Sequence, residues 1–321
     1  MELTIMVNST YFTTIILTGY LDVAQANYYY FALLIILYIT IILANSLLIG
    51  VIVVESSLHE PMYILLCCLF FNELYGSAAF FPFILNNLLN TSHEFTLGSC
   101  YVQIFFLYTY GSVEFGSLAV MSLDRYMAIC HPFLYRSVVT CNRVCILIAL
   151  VWLVSILNIT INISLSSPLK LCGNVIEKVY CDNFLLVKLA CSDTSVNNIY
   201  GIIGSIVNII LPSLLIVYSY MKILRVCLNS SVETTQKAMT TCIPQLFSFL
   251  NFFLGCSFEI FSSRFEKVKM PYMLRVIISV YFVICPPFLN PIMYGIRLSK
   301  IKSAVKKHFR YFQQPLKSVQ N

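Results

Sequence analysis

Apolar residues in this chain do not alternate with polar ones; they gather into seven long blocks separated by short polar connections. The blocks run at about 28–54, 61–85, 99–130, 141–165, 197–224, 238–262 and 272–296. Each exceeds the roughly 20 residues that a helix needs to cross the hydrocarbon core of a bilayer. Helices are the expected form, because hydrocarbon offers the backbone no hydrogen-bond partner and no period-two pattern suggests a closed barrel. Past the last block, Leu298, Ile301, Val305, Phe309 and Phe312 fall on one helical face, with the lysines mostly elsewhere. That pattern predicts a short amphipathic helix lying on the inner leaflet. No internal repeat, low-complexity stretch or soluble domain interrupts the blocks. The expected architecture is an all-α membrane protein with an extracellular N-terminus over 1–27, a seven-transmembrane helix bundle over 28–296, and a cytoplasmic amphipathic helix and tail over 297–321.

Composition agrees. Of the 321 residues, 59% are hydrophobic and 11% charged, with a mean hydropathy of +0.83, whereas soluble chains carry about a quarter charged residues. The formal net charge of +6 on a membrane protein favours lipid headgroups or cytoplasmic proteins as partners, not nucleic acid. Residues 1–27 lack the basic start of a secretory signal, so the first apolar block is expected to serve as both signal and anchor. Lys and Arg in the connections set the orientation. Residues 1–27 and the 86–98 loop contain none, while Arg136, Arg143, Lys222, Arg225, Lys237, Arg297 and the run Lys300, Lys302, Lys306, Lys307, Arg310 share the other side. Lys170, Lys178, Lys188, Arg264, Lys267 and Lys269 stand against this bias, so the rule holds as an excess. The N-terminus is predicted outside and the C-terminus inside. Asn8-Ser-Thr then lies outside and is the expected glycosylation site. Asn90 also heads an outside sequon; Asn158 and Asn162 lie in or at the edge of the fourth block, and Asn229 is cytoplasmic.

Charge inside a bilayer is costly and usually marks function. Glu73 and Glu114 stand deep in the second and third blocks. Two nearby carboxylates cannot both ionise cheaply, so they form either a neutral hydrogen-bonded pair or a cation site, with sodium the candidate. Glu259, nearer the outer end of the sixth block, is expected to reach the headgroups. Asp124-Arg125 ends the third block at the cytoplasmic face, followed by Tyr126 and His131-Pro132-Phe133-Leu134-Tyr135. Cys172, Cys181 and Cys191 lie in the long outside loop between the fourth and fifth blocks, and Cys100 at the outer start of the third. In an oxidising compartment these cysteines allow three pairings. Joining the loop to the third block would make a lid over the bundle mouth. No HExxH, GxSxG or paired intramembrane aspartates occur, so neither enzyme chemistry nor a cofactor is expected. The absence of an inverted repeat argues against a transporter.

The segment Met121 to Cys130 (MSLDRYMAIC), followed by HPFLY, resembles the third-helix signature of odorant receptors in the rhodopsin-like superfamily of G-protein-coupled receptors. LHEPMYILL (Leu58 to Leu66) resembles the start of that family's second helix, KAMTTC (Lys237 to Cys242) the start of its sixth, and PPFLNPIMYGIR (Pro286 to Arg297) the end of its seventh. Asn45, Trp152, Pro212 and Tyr220 fall at the family's helix landmarks. The Asn72 to Pro82 stretch, NELYGSAAFFP, looks most like the class I, fish-type branch. The resemblance spans essentially the whole chain.

That resemblance implies roles. Cys100–Cys181 would be the superfamily disulfide and Cys172–Cys191 the additional pair of odorant receptors. Arg125 would be held near Asp124 at rest and released, with Tyr126 beside it, to meet a G-protein α subunit in a crevice lined by Tyr220, Lys237 and Tyr294. Asn290-Pro291 would let the seventh helix bend, and Glu73 with Glu114 would form the central cation site, although most relatives have Asp where Glu73 stands. Ile104, Tyr108, Gly111 and Ser112, which share a helical face, would line a pocket for a small odorant, opposite Phe253, Cys256 and Ile260. Arg264 falls where some class I relatives grip a ligand carboxylate; a surface charge beside Glu266 is the alternative. The implied function is sensory transduction: an odorant receptor in the plasma membrane of olfactory cilia that raises cyclic AMP through the stimulatory olfactory G protein.

Overall fold

The computed structural model describes residues 12–20, 24–90, 93–264 and 272–307. Seven long helices dominate it: α1 (Ala24–Val54), α2 (Pro61–Leu89), α3 (Leu97–Cys130), α4 (Cys141–Ser166), α5 (Ser195–Leu228), α6 (Val232–Arg264) and α7 (Tyr272–Arg297). All are long and apolar enough to cross a membrane. Local chemistry sets their starts. Pro61 opens α2, where its missing N–H costs nothing. Thr96 caps α3 by accepting from the Ser99 N–H at 3.2 Å, and Thr140 caps α4 by accepting from Arg143. The apolar blocks mark the lipid-contacting lengths; α6 starts at Val232, ahead of its block, because its polar first turns need no hydrocarbon. Large apolar side chains such as Leu33, Leu153 and Leu214 remain exposed on the outer faces of α1, α4 and α5, as a lipid solvent demands.

α3 runs through the middle of the bundle, against α2, α4, α5 and α6. Small residues permit the close approach: a Cβ on Gly116 would come within 2.6 Å of Val151 on α4. In α5, Pro212 has no N–H and its ring crowds the carbonyl of Asn208. The helix accommodates this with a wide π turn over Ile206–Ile210.

The outer mouth is covered by the 167–194 connection, which contains a short strand, β3 (Val175–Ile176), and a short helix (Asn183–Lys188). Disulfides Cys100–Cys181 and Cys172–Cys191 tie this lid down. A sheet that the hydropathy pattern did not indicate completes it. β1 (Thr14–Leu17) pairs antiparallel with β2 (Glu94–Thr96) and parallel with β3, burying Ile15 and Leu17. Its strands are too short to show a period. Gly19 is needed beside it, since a Cβ there would lie 2.2 Å from the Lys178 backbone. At the inner end, residues 299–307 form a helix that buries Leu298, Ile301 and Ala304, with Lys300 on Glu60 at 2.7 Å and Lys307 on Glu55 at 2.9 Å. Phe309 and Phe312, assigned to the same face, lie outside the described residues, as does Asn8.

The two disulfides restrain the unfolded chain unequally. They close 81 and 19 residues, worth about 4.5 and about 3 kcal/mol of chain entropy. Cys100→Ser should therefore lower the melting temperature of the detergent-solubilised protein more than Cys172→Ser. An equal or reversed order would contradict this assignment of the lid's anchor.

Candidate functional site

A cavity of about 210 Å³ lies under the lid between α3, α4, α5, α6 and α7. α3 contributes Tyr108, Gly111 and Ser112, and α6 contributes Cys256, Ile260 and Arg264. Gly111 opens space directly: the nearest atom to a Cβ there is Phe252 Cζ at 3.9 Å. Ser112 donates to Asn208 Oδ1 at 2.8 Å and sits 2.7 Å from Ser155 Oγ. The π turn thus presents Asn208 to the cavity wall. From the lid, the Asn183 N–H donates to Tyr108 Oη at 3.1 Å, and Asn183 Nδ2 donates to Asn162 Oδ1 at 2.5 Å.

Two residues expected in this wall are absent from it. Ile104 is consumed by core packing, because the lid presses onto that end of α3 through Cys100–Cys181 and through the Cys181 N–H donating to Gln103 Oε1 at 2.9 Å. Phe253 lies one turn farther from the lid, where its ring packs on Phe249 at 5.5 Å.

Glu259 corrects the sequence reading more sharply. It does not reach outward to headgroups; its side chain is 9% exposed and turns inward to Lys178 and Tyr180 of the lid, which both donate to its Oε1. Lys178 also donates to Asp182 Oδ2 at 2.8 Å and Ser263 Oγ at 2.7 Å. Asp182 in turn caps the short lid helix by accepting from the Leu185 N–H at 3.0 Å. Burial alone would depress the Lys178 ammonium, but Asp182 and Glu259 outweigh it and hold its pKa above the ordinary lysine value. It stays charged throughout the neutral range. Lys178 entered the sequence reading only as a charge against the orientation bias. A carboxylate buried near a helix end implies a cationic partner, and that was the signal available.

Halfway down the bundle, Glu73 and Glu114 are fully buried. Tyr110 Oη donates to Glu73 Oε2 at 3.1 Å, Asn72 Nδ2 donates to Glu114 Oε2 at 2.9 Å, and Asn290 Nδ2 donates to Glu73 and, at 3.5 Å, to Glu114 Oε1. Gly76 makes room for the Tyr110 ring, which a Cβ would meet at 2.4 Å. This donor set fits a balanced pair of acids sharing either one proton or one monovalent cation. Among the described residues, no cluster of three His, Cys, Asp or Glu side chains is built for a transition metal. One turn away, Pro291 leaves the Pro287 carbonyl without its helical partner, and Asn45 Nδ2 donates to that carbonyl at 2.9 Å.

At the inner end, Arg125 Nε donates to Asp124 Oδ2 at 2.9 Å, and Tyr135 Oη donates to Asp124 Oδ1 at 2.8 Å. Tyr126 contacts His131 Nε2 at 3.0 Å, and Tyr220 Oη donates to the Cys242 carbonyl of α6 at 3.4 Å. Tyr294 is buried edge-on against Phe70. Lys237 stands apart: it points to solvent and pairs with Glu233 at 2.7 Å, with both side chains more than three-quarters exposed (76% and 78%).

Residues 34–311 match the family model described as olfactory receptor. Human olfactory receptor 51I1 is 34% identical over 264 residues, covering 80% of this chain and 82% of that relative. Mouse olfactory receptor 4B13 is 34% identical over 259 residues, covering 79% of this chain and 82% of the relative. Squid rhodopsin shares the fold, with a TM-score of 0.73 over 90% of this chain and 87% of that one, at 19% identity.

Because the two central acids need a compensating proton or cation, the melting temperature of the wild type should change with pH or with replacement of sodium by choline. Glu73→Gln, which leaves a single acid, should lose the response to sodium, although Glu114 still titrates and keeps some dependence on pH. Equal responses in the two proteins would remove the coupling between Glu73 and Glu114.

Proposed function

The chain belongs to the olfactory receptor family and has the rhodopsin fold, and on that basis we propose that a small extracellular odorant binds in the outer cavity and drives a heterotrimeric G protein at the inner end. The family is one of signalling receptors, not enzymes. One observation carries the reading: α3 and α6, which face each other across the lidded cavity, also carry Arg125 and Cys242 at the opposite end of the bundle. A ligand that binds better when the inner end of α6 stands away from α3 shifts the population toward that arrangement, and only by that difference in affinity. The Tyr220 contact to α6 and the Asp124–Arg125 pair are the interactions to be exchanged. Arg125, Tyr126, Tyr220 and Tyr294 then meet the α subunit, and Lys237 at the rim of α6 offers it a solvated charge. Asn290 and Pro291 give α7 its freedom to bend, and Glu73 with Glu114 takes sodium in the resting arrangement. Tyr108, Gly111, Ser112, Cys256, Ile260 and Arg264 contact the odorant.

The G protein is of the stimulatory olfactory type, raising cyclic AMP. The receptor is a multi-pass protein of the plasma membrane with Asn8 outside and glycosylated, and its place is the sensory cilium of an olfactory neuron. In cells supplied with the stimulatory olfactory G protein, Arg125→Ala should abolish the odorant-evoked cyclic AMP response while leaving the surface level of the protein unchanged. A wild-type response from Arg125→Ala would refute the mechanism.

A further inference from the structure

The cavity wall contains buried acceptors with nothing to accept from. Among the described residues, Glu259 Oε2 and Asn183 Oδ1 have no hydrogen-bond donor, although both residues line the cavity and are only 6% and 7% exposed. Leaving such an acceptor bare costs the desolvation of the group without the return of a bond. Glu259 spends its other oxygen on Lys178 and Tyr180. Asn183 has its amide nitrogen fixed on Asn162.

Charge points the same way. The buried cluster sets two carboxylates, Asp182 and Glu259, against the single ammonium of Lys178, leaving one negative charge in excess. Arg264, a cation that does line the cavity, is exposed; its guanidinium lies over the Phe184 ring at 4.6 Å, and among the described residues it forms no ion pair. A buried excess charge is expensive until a counter-charge arrives. Glu259 lines the cavity from which one can come.

Resting on the receptor reading above, we propose that the cavity is selective for ligands bearing a protonated amine on a small apolar body, with the ammonium donating to Glu259 Oε2. Asn183 Oδ1 is a further acceptor in the same wall, and the Tyr108 and Tyr180 rings add favourable faces for a cation. Ile209, Ile260 and Phe282 receive the apolar body. A carboxylic acid finds the opposite field: it must approach the two acids of the cluster and has only the exposed Arg264 to hold it.

The test is direct binding to the full chain in lipid nanodiscs, without G protein, using hexylamine, hexanol and hexanoate as length-matched probes. Wild type should bind hexylamine more tightly than either of the others by about tenfold or more. Glu259→Gln retains an acceptor for Lys178 and Tyr180 but replaces the free acceptor with an amide donor. It should lose that preference while binding hexanol as wild type does. If Glu259→Gln does not fold, the wild-type order of affinities alone decides. Hexanol or hexanoate bound as well as hexylamine, no binding by any of the three, or an unchanged amine preference in Glu259→Gln would each overturn the proposal. Hexylamine binding that raises no cyclic AMP in cells would instead count against the signalling reading and leave this one standing.

Discussion

Hydrocarbon supplies neither donors nor acceptors, and every level of this structure answers that deficit. The backbone answers with helices, whose N–H and C=O groups pair within each segment. Where a proline breaks the pairing, a neighbour repairs it: the Pro287 carbonyl freed by Pro291 is taken by Asn45 of α1. Side chains answer by turning inward. The lipid-facing surfaces of α1, α4 and α5 are apolar, while the buried charged groups meet polar partners along the bundle axis.

Those groups form three clusters at different depths. Lys178, Asp182 and Glu259 join the lid to α6 at the outer end. Glu73, Glu114, Tyr110 and Asn290 bind α2, α3 and α7 at mid-depth. Asp124, Arg125 and Tyr135 close the inner end. Each cluster contains charge that low dielectric makes expensive to leave unbalanced, so each has few acceptable arrangements instead of a continuum. That discreteness suits a receptor, in which a small occupant must select between states. α3 and α6 connect the levels mechanically, since both line the cavity and both reach the end of the bundle opposite the lid.

The seven spans were legible in the sequence because lipid imposes length and apolarity on each, and these are one-dimensional properties. Asp124-Arg125 and the buried acids were legible because a charge in an apolar run stands out. The lid was not. Its strands hold only two to four residues, too few for a period, and its pairing links residue 16 to residue 175 across about half of the chain. Glu259 was misread for a related reason: its partners Lys178 and Tyr180 lie some 80 positions away, brought close by the Cys100–Cys181 disulfide. Ile104 and Phe253 share faces with true cavity residues, but a helical face does not say how deep the lid reaches or where the floor begins. Depth is set by neighbours.

Nucleotide exchange on a purified stimulatory G-protein α subunit, with the receptor in nanodiscs, tests most directly whether occupancy of the outer cavity controls the inner surface. A panel of small amines, alcohols and acids should contain at least one compound that accelerates exchange with wild type. Gly111→Leu, whose side chain grows into the cavity toward Phe252, should shift or abolish the response to that compound. The same concentration dependence with Gly111→Leu as with wild type would mean that the ligand acts elsewhere, and that this cavity is not the control point.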